Sequence, residues 1–366
     1  GKGASEMHQG RIAKLSLALA LVGLVALTGS QAMARPKRAP PPPPPPPLPA
    51  VGMASSLLDE AGAFDGYVHD AAAISPAFTD AANVAASLRA GAAYEPGELK
   101  RGEVVYGAIV ALTDPAFVAE VRQAASTPQA RYDVMARIFA NPDSALAFPD
   151  GRAAAALVKG TLSQEGMSLF DNGDAIRLAA YGIQHQPWSL ANVADLDERA
   201  QAIKTISREA RPVSQDETQK LEGMIGGEAS GVQPAAAPPP IVQVADPAPP
   251  PYPPLVVHAV ALAALAAIGE ANDQNAPNLG WLTDDYFLAH CLDEAKLNLY
   301  ECLAVARPNY EDIFCLGRHA VKETGACIVK AAGGVVPIEI ATEPLRIRPA
   351  HITRHEERHR RRRRRA

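Results

Sequence analysis

All four cysteines of this 366-residue chain, Cys291, Cys302, Cys315 and Cys327, fall in one C-terminal window. An even number of clustered cysteines in an exported chain reads as two disulfides. Spacing limits the pairing. Thr283-Asp284-Asp285 reads as a helix start, and residues 286–305 have helical composition up to the break at Arg307-Pro308. Cys291 and Cys302 are 11 residues apart, about 20° past three helical turns, so they share a face but sit about 16 Å apart along the axis. A disulfide needs Cα atoms within about 7 Å. A second helix from about Tyr310 carries Cys315 and Cys327. In an antiparallel hairpin the inner and outer pairs meet, which predicts Cys302 with Cys315 and Cys291 with Cys327; crossed pairing is the main alternative. Zinc knuckles need far closer spacing, and a nucleophile beside His290 needs a free thiolate, so the cysteines read as staples.

Export is expected from the N-terminus. After Met7, Arg11 and Lys14 precede an apolar run from Leu15 to about Leu27, and Ala32-Met33-Ala34 supplies the small residues of a cleavage site. The run is too short for a spanning helix. Segment 1–34 therefore reads as a signal peptide, cleaved near Ala34, and the mature chain as periplasmic or secreted with no transmembrane helix.

About one residue in five is alanine and aromatics are 5% of the chain. Small side chains fill closely packed helices and make poor sheet cores, so the expected class is all-α. The predicted order is a Pro-rich spacer over 35–54, including eight prolines from Pro40 to Pro47, an irregular Ala-rich helical domain over 55–225, a Pro/Ala/Gly-rich linker over 226–254, a small disulfide-stapled helical hairpin domain over 255–335 and a disordered basic tail over 336–366. Within 55–225, Ser75-Pro76, Glu95-Pro96, Asp114-Pro115 and Asn141-Pro142 read as helix starts. Ser214 to Glu217 has the form of a capping box. These signals describe seven or eight helices of 10 to 20 residues. The apolar stretch from Leu255 to Ile268 reads as a buried helix against which the cysteine hairpin packs.

The stretch from Leu297 through Cys302, Tyr310 and Cys315 to Cys327, together with the block from Ala72 through Ser75-Pro76 to Tyr94-Glu95-Pro96, resembles segments of uncharacterised exported helical proteins of sphingomonad-type alphaproteobacteria. The resemblance implies export and an all-helical fold, and it carries no activity or functional residue.

The segment from His351 to Ala366 holds Arg354, Arg358, Arg360, Arg361, Arg362, Arg363, Arg364 and Arg365 against Glu356 and Glu357, a net of +6 in a chain of net −5. Segment 1–34 carries +2, so 35–350 carries −13. Six consecutive arginines bind anions through bidentate contacts. In an exported chain the expected partners are anionic envelope polymers or lipid headgroups, ahead of nucleic acid, with a protein partner on the helical domains. His355-Glu356-Glu357-Arg358-His359 matches a zinc-protease pattern, but it lies beside an arginine run with no folded context after it, so neither a metal nor a cofactor is assigned. Asp171-Asn172-Gly173-Asp174 reads as a turn rather than a calcium loop. Trp188 and Trp281 read as core anchors, and His69, Asp70 and His185 as helix-surface residues.

The sequence favours a non-enzymatic envelope binding or scaffolding protein. The alternative is an envelope hydrolase acting on glycan or peptide through carboxylates that the sequence does not single out, and a third class is a small-molecule binder.

Overall fold

Acidic and hydroxyl side chains start the helices. Asp80, Glu95, Asp114, Thr127, Asp195 and Asp285 each accept from a backbone N–H of the first turn, an arrangement that contributes about 1 kcal/mol per helix. Behind three of these caps a proline holds the first helical position, where its missing N–H costs nothing. The computed structural model describes residues 46–225 and 251–337. In chain order the helices are α1 (Ser55–Ala72), α2 (Ala81–Ala92), α3 (Pro96–Leu112), α4 (Pro115–Ala124), α5 (Pro128–Ala140), α6 (Gly151–Gly182), α7 (Pro187–Leu190), α8 (Leu196–Ile206), α9 (Gln215–Ile225), α10 (Pro254–Ala267), α11 (Tyr286–Val305), α12 (Asn309–Cys315) and α13 (Thr324–Ala331). A π-helical segment, Leu316–Glu323, joins α12 to α13, and no strand occurs among the described residues. The fold is all-α. The signal-like segment, the prolines up to Pro45, residues 226–250 and the tail from 338, with all eight arginines from Arg354 to Arg365, lie outside the described residues.

The core is shared across the expected linker. α10 is buried along nearly its whole length and packs on α3, α6 and α4, with Gly107 of α3 against Ala259. Each large apolar side chain buried this way contributes about 1.5–3 kcal/mol. α12, the π segment and α13 pack on α6. The described helices on both sides of 226–250 thus form one compact unit with one apolar core, not two separate helical domains. The expected contact of α10 with the cysteine hairpin is replaced by α3 and α6. The reason is that α10 is apolar on every side and takes the centre, while the hairpin has one apolar stripe and takes a flank.

The expected spacer also ends differently. Met53 and Val51 pack against the core, Ala54 N donates to Ala271 O at 2.7 Å, and Arg122 of α4 donates to Ala267 O at 2.7 Å and Pro49 O at 3.0 Å. Residues 49–54 therefore strap the C-terminus of α10, where Gly269 takes a φ of 78° beside Pro49.

Cys291–Cys327 and Cys302–Cys315 are both bonded, each with Cα atoms 5.7 Å apart. They tie α11 to α13 and to α12. Two other expectations are corrected. Ser75-Pro76 starts no helix: Ser75 Oγ accepts from Ala77 N, and α2 begins after Asp80. Asp171-Asn172-Gly173-Asp174 is no turn but lies within the 32-residue α6. Asn172 Nδ2 donates to Ala71 O at 3.0 Å and Ile74 O at 3.1 Å, closing the end of α1, and Asp174 accepts from Lys322 at 2.5 Å. Tertiary partners satisfy the side chains that would otherwise compete with helix formation.

Candidate functional site

Two helix ends converge on a lysine in the middle of a third helix. Ala92 closes α2 and leaves a carbonyl without a helical partner, Ser207 caps α8, and α11 carries Lys296 between Leu292 and Leu299 on its buried face. Lys296 Nζ donates to Ala92 O at 2.6 Å and to Ser207 Oγ at 3.2 Å, and lies 3.4 Å from the centre of the Tyr94 ring. Ser207 Oγ donates to the same Ala92 carbonyl at 3.2 Å. The Tyr94 ring is held in turn: its hydroxyl meets Thr324 Oγ1 at 2.8 Å, and it packs on Tyr67 with centroids 4.6 Å apart.

Lys296 is 4% exposed and forms no ion pair among the described residues. Burial pushes its amine well below the ordinary lysine range, with Glu95 pulling weakly the other way. Glu95 is engaged elsewhere, accepting from Gly97 N at 2.9 Å and Glu98 N at 2.7 Å. Lys296 lines a cleft of about 340 Å³ together with Arg208, Asp293, Leu297 and Tyr300. The site can hold a small molecule against a desolvated amine.

Glu103 is a second buried charge-bearing group. It is fully buried on α3, and neither carboxyl oxygen has a hydrogen-bond partner among the described residues. Burial, and then Asp285, hold its carboxyl well above the usual range. A third cluster lies where α1, α6 and α9 meet. Glu165 is raised by burial and by Asp65, while Asp65 pairs with Lys220 at 2.9 Å and His69 lies one turn further along α1.

The cysteines are brought together as paired staples and leave no free thiol among the described residues. Trp188 packs against the core, but Trp281 is 38% exposed beside Phe139, with ring centroids 6.0 Å apart, and is no core anchor. His69 and Asp70 are exposed on α1, as expected, whereas His185 sits in the turn after α6 rather than on a helix. No group of three or more His, Cys, Asp or Glu side chains suited to a metal occurs among the described residues, and no single described helix is long and apolar enough to cross a membrane. Sequence reading passed over Lys296 and Glu103. The available signal was their position: each is a charged residue inside an apolar helical stripe.

No protein-family model, curated protein or solved structure matches this chain.

Proposed function

We propose that this chain is an exported, non-enzymatic binding or scaffolding protein that an arginine tail holds at an anionic envelope surface. The observation that carries the reading is the charge asymmetry: eight arginines between Arg354 and Arg365, in a tail of net +6, follow a body of net −13. Like charges on the body keep it off an anionic surface, while the tail exchanges counterions with phosphates and carboxylates. The body's contribution is rigidity, from one shared core and two disulfides. The proline-rich segments and the resemblance to exported helical proteins belong to the same reading.

The test compares retention on isolated envelope material of the chain from Arg35 onward with the same chain ending at Ala350. The full form is expected to bind at about 50 mM salt and to be released at about 300 mM, because its attraction is screened, and the shortened form is expected not to bind. Equal retention of both at high salt overturns the reading.

One observation favours the hydrolase alternative. Burial first, and the charge of Asp65 second, raise the Glu165 carboxyl, the environment that suits a general acid. Loss of a measurable glycan- or peptide-cleaving activity in Glu165→Gln would establish it.

A further inference from the structure

We propose that Lys296 is a covalent capture site for small carbonyl compounds, aldehydes or ketones, which enter through the adjoining cleft and form an imine with Nζ. The bland reading of Lys296 is a pin that ties α11 to the ends of α2 and α8. Three features go beyond a pin.

First, the amine is buried without a carboxylate in contact. Its acceptors are a carbonyl and a hydroxyl, both satisfied by the two N–H groups of a neutral amine. A pin that relied on charge would be expected to reach Glu95, whose oxygens are instead spent on the N-terminus of α3. Second, the lysine and its partner Ser207 both line a cleft of about 340 Å³, whose Leu297 is 55% exposed, so a small molecule in the cleft lies beside the buried side chain. Third, the Tyr94 ring face, 3.4 Å from Nζ, favours a cation at that point. The protonated imine is such a cation.

The chemistry balances within the site. The nitrogen lone pair attacks the carbonyl carbon, and the oxygen takes up the two Nζ hydrogens and leaves as water. The C=N bond replaces C=O, with no oxidant or reductant. The imine so formed has no N–H; one proton taken up from solvent gives the protonated imine, whose single N–H is enough for the 2.6 Å bond to Ala92 O. The longer contact to Ser207 is given up, and Ser207 still donates to Ala92 O. Nothing in this step requires turnover, so it fits a binding protein.

The experiment treats the full chain at about neutral pH with acetaldehyde and sodium cyanoborohydride, which reduces any imine to a stable ethylamine, and reads each lysine by peptide mapping. Lys204 and Lys220 are exposed, whereas burial pushes the Lys296 amine well below the ordinary lysine range and so raises its free, nucleophilic fraction. Lys296 is therefore expected to label at least about tenfold faster than either. Leu297→Trp, a change at the exposed rim, is expected to close the cleft and cut labelling of Lys296 while leaving Lys220 as before. The proposal is overturned if Lys296 labels more slowly than the exposed lysines. It is equally overturned if Leu297→Trp leaves Lys296 labelling unchanged, because the amine then reacts through local opening and not through the cleft.

Discussion

Lys296 and Glu103 are both almost wholly buried, yet their surroundings differ in kind. Lys296 has two acceptors and an aromatic face, whereas both oxygens of Glu103 lack a partner among the described residues. A buried polar group without partners loses its hydration and receives nothing back. Glu103→Met, which keeps the length and removes the polar atoms, is expected to raise stability near neutral pH by about 1–3 kcal/mol. Lys296→Met is expected to lower it by a similar amount, since it removes bonds that exist. Urea unfolding of the two variants beside the parent checks the pair. A loss of stability in Glu103→Met would mean that its carboxyl has a partner, such as a buried water.

At the scale of elements, α6 and the segment that ends in α13 meet backbone to backbone. A Cβ added at Gly325 would lie 2.5 Å from Gly166 O, and one at Gly317 would lie 2.7 Å from Gly173 O. The two backbones touch at both points, so only glycine fits. Along α6 the glycines are seven positions apart, which is about 20° short of two turns; along the partner they are eight apart, which a regular α-helix would carry about 80° past two turns. The π-helical segment Leu316–Glu323, which includes Gly317 and ends two residues before Gly325, takes up the extra residue in its wider turn, so both glycines face α6. Gly325→Ala is expected to cost about 1–3 kcal/mol or more through overpacking. Gly182→Ala, at the end of α6 with nothing within 4 Å, is expected to be neutral or to stabilise by up to about 1 kcal/mol. Thermal unfolding of the two variants separates backbone contact from helix propensity. Local signals made the helix starts legible: Glu95-Pro96, Asp114-Pro115, the Ser214–Glu217 box and the cysteine hairpin all form as spacing and capping predict. The π segment, the continuation of α6 through Asp171–Asp174 and the Lys296 cleft were not legible. Each depends on a partner far away in the sequence, as Asp174 does on Lys322 and Lys296 on Ala92.

For the molecule as a whole, the balance of carboxylates predicts how stability follows pH. Burial chiefly holds Glu60, Glu103, Glu165 and Asp312 above their usual range, and Asp312 is pushed up to about 6 even though it pairs with Arg199. Each of these groups binds its proton more tightly in the folded chain than in the unfolded one. Between about pH 4 and 6, and higher for Glu103, the folded state therefore carries more protons, and stability falls as pH rises. The opposite group is Asp80, Asp174, Asp284, Glu217 and Glu323. Backbone donors lower Asp80 and the Lys100 ammonium lowers Asp284, while donors and cations outweigh burial in the other three. Their contribution is present above about pH 4 and is lost as pH falls further. The two sets together place the stability maximum on the acidic side, at about pH 4, where the rise contributed by the lowered set ends and the fall set by the raised set begins. Urea midpoints taken from about pH 3.5 to 8 are expected to rise and then fall across that point. Glu103→Met is expected to flatten the falling limb and leave the rising limb in place, because only the falling limb requires that carboxyl to ionise. A midpoint that climbs steadily to neutral pH would show that the buried carboxyls are ionised in the folded chain.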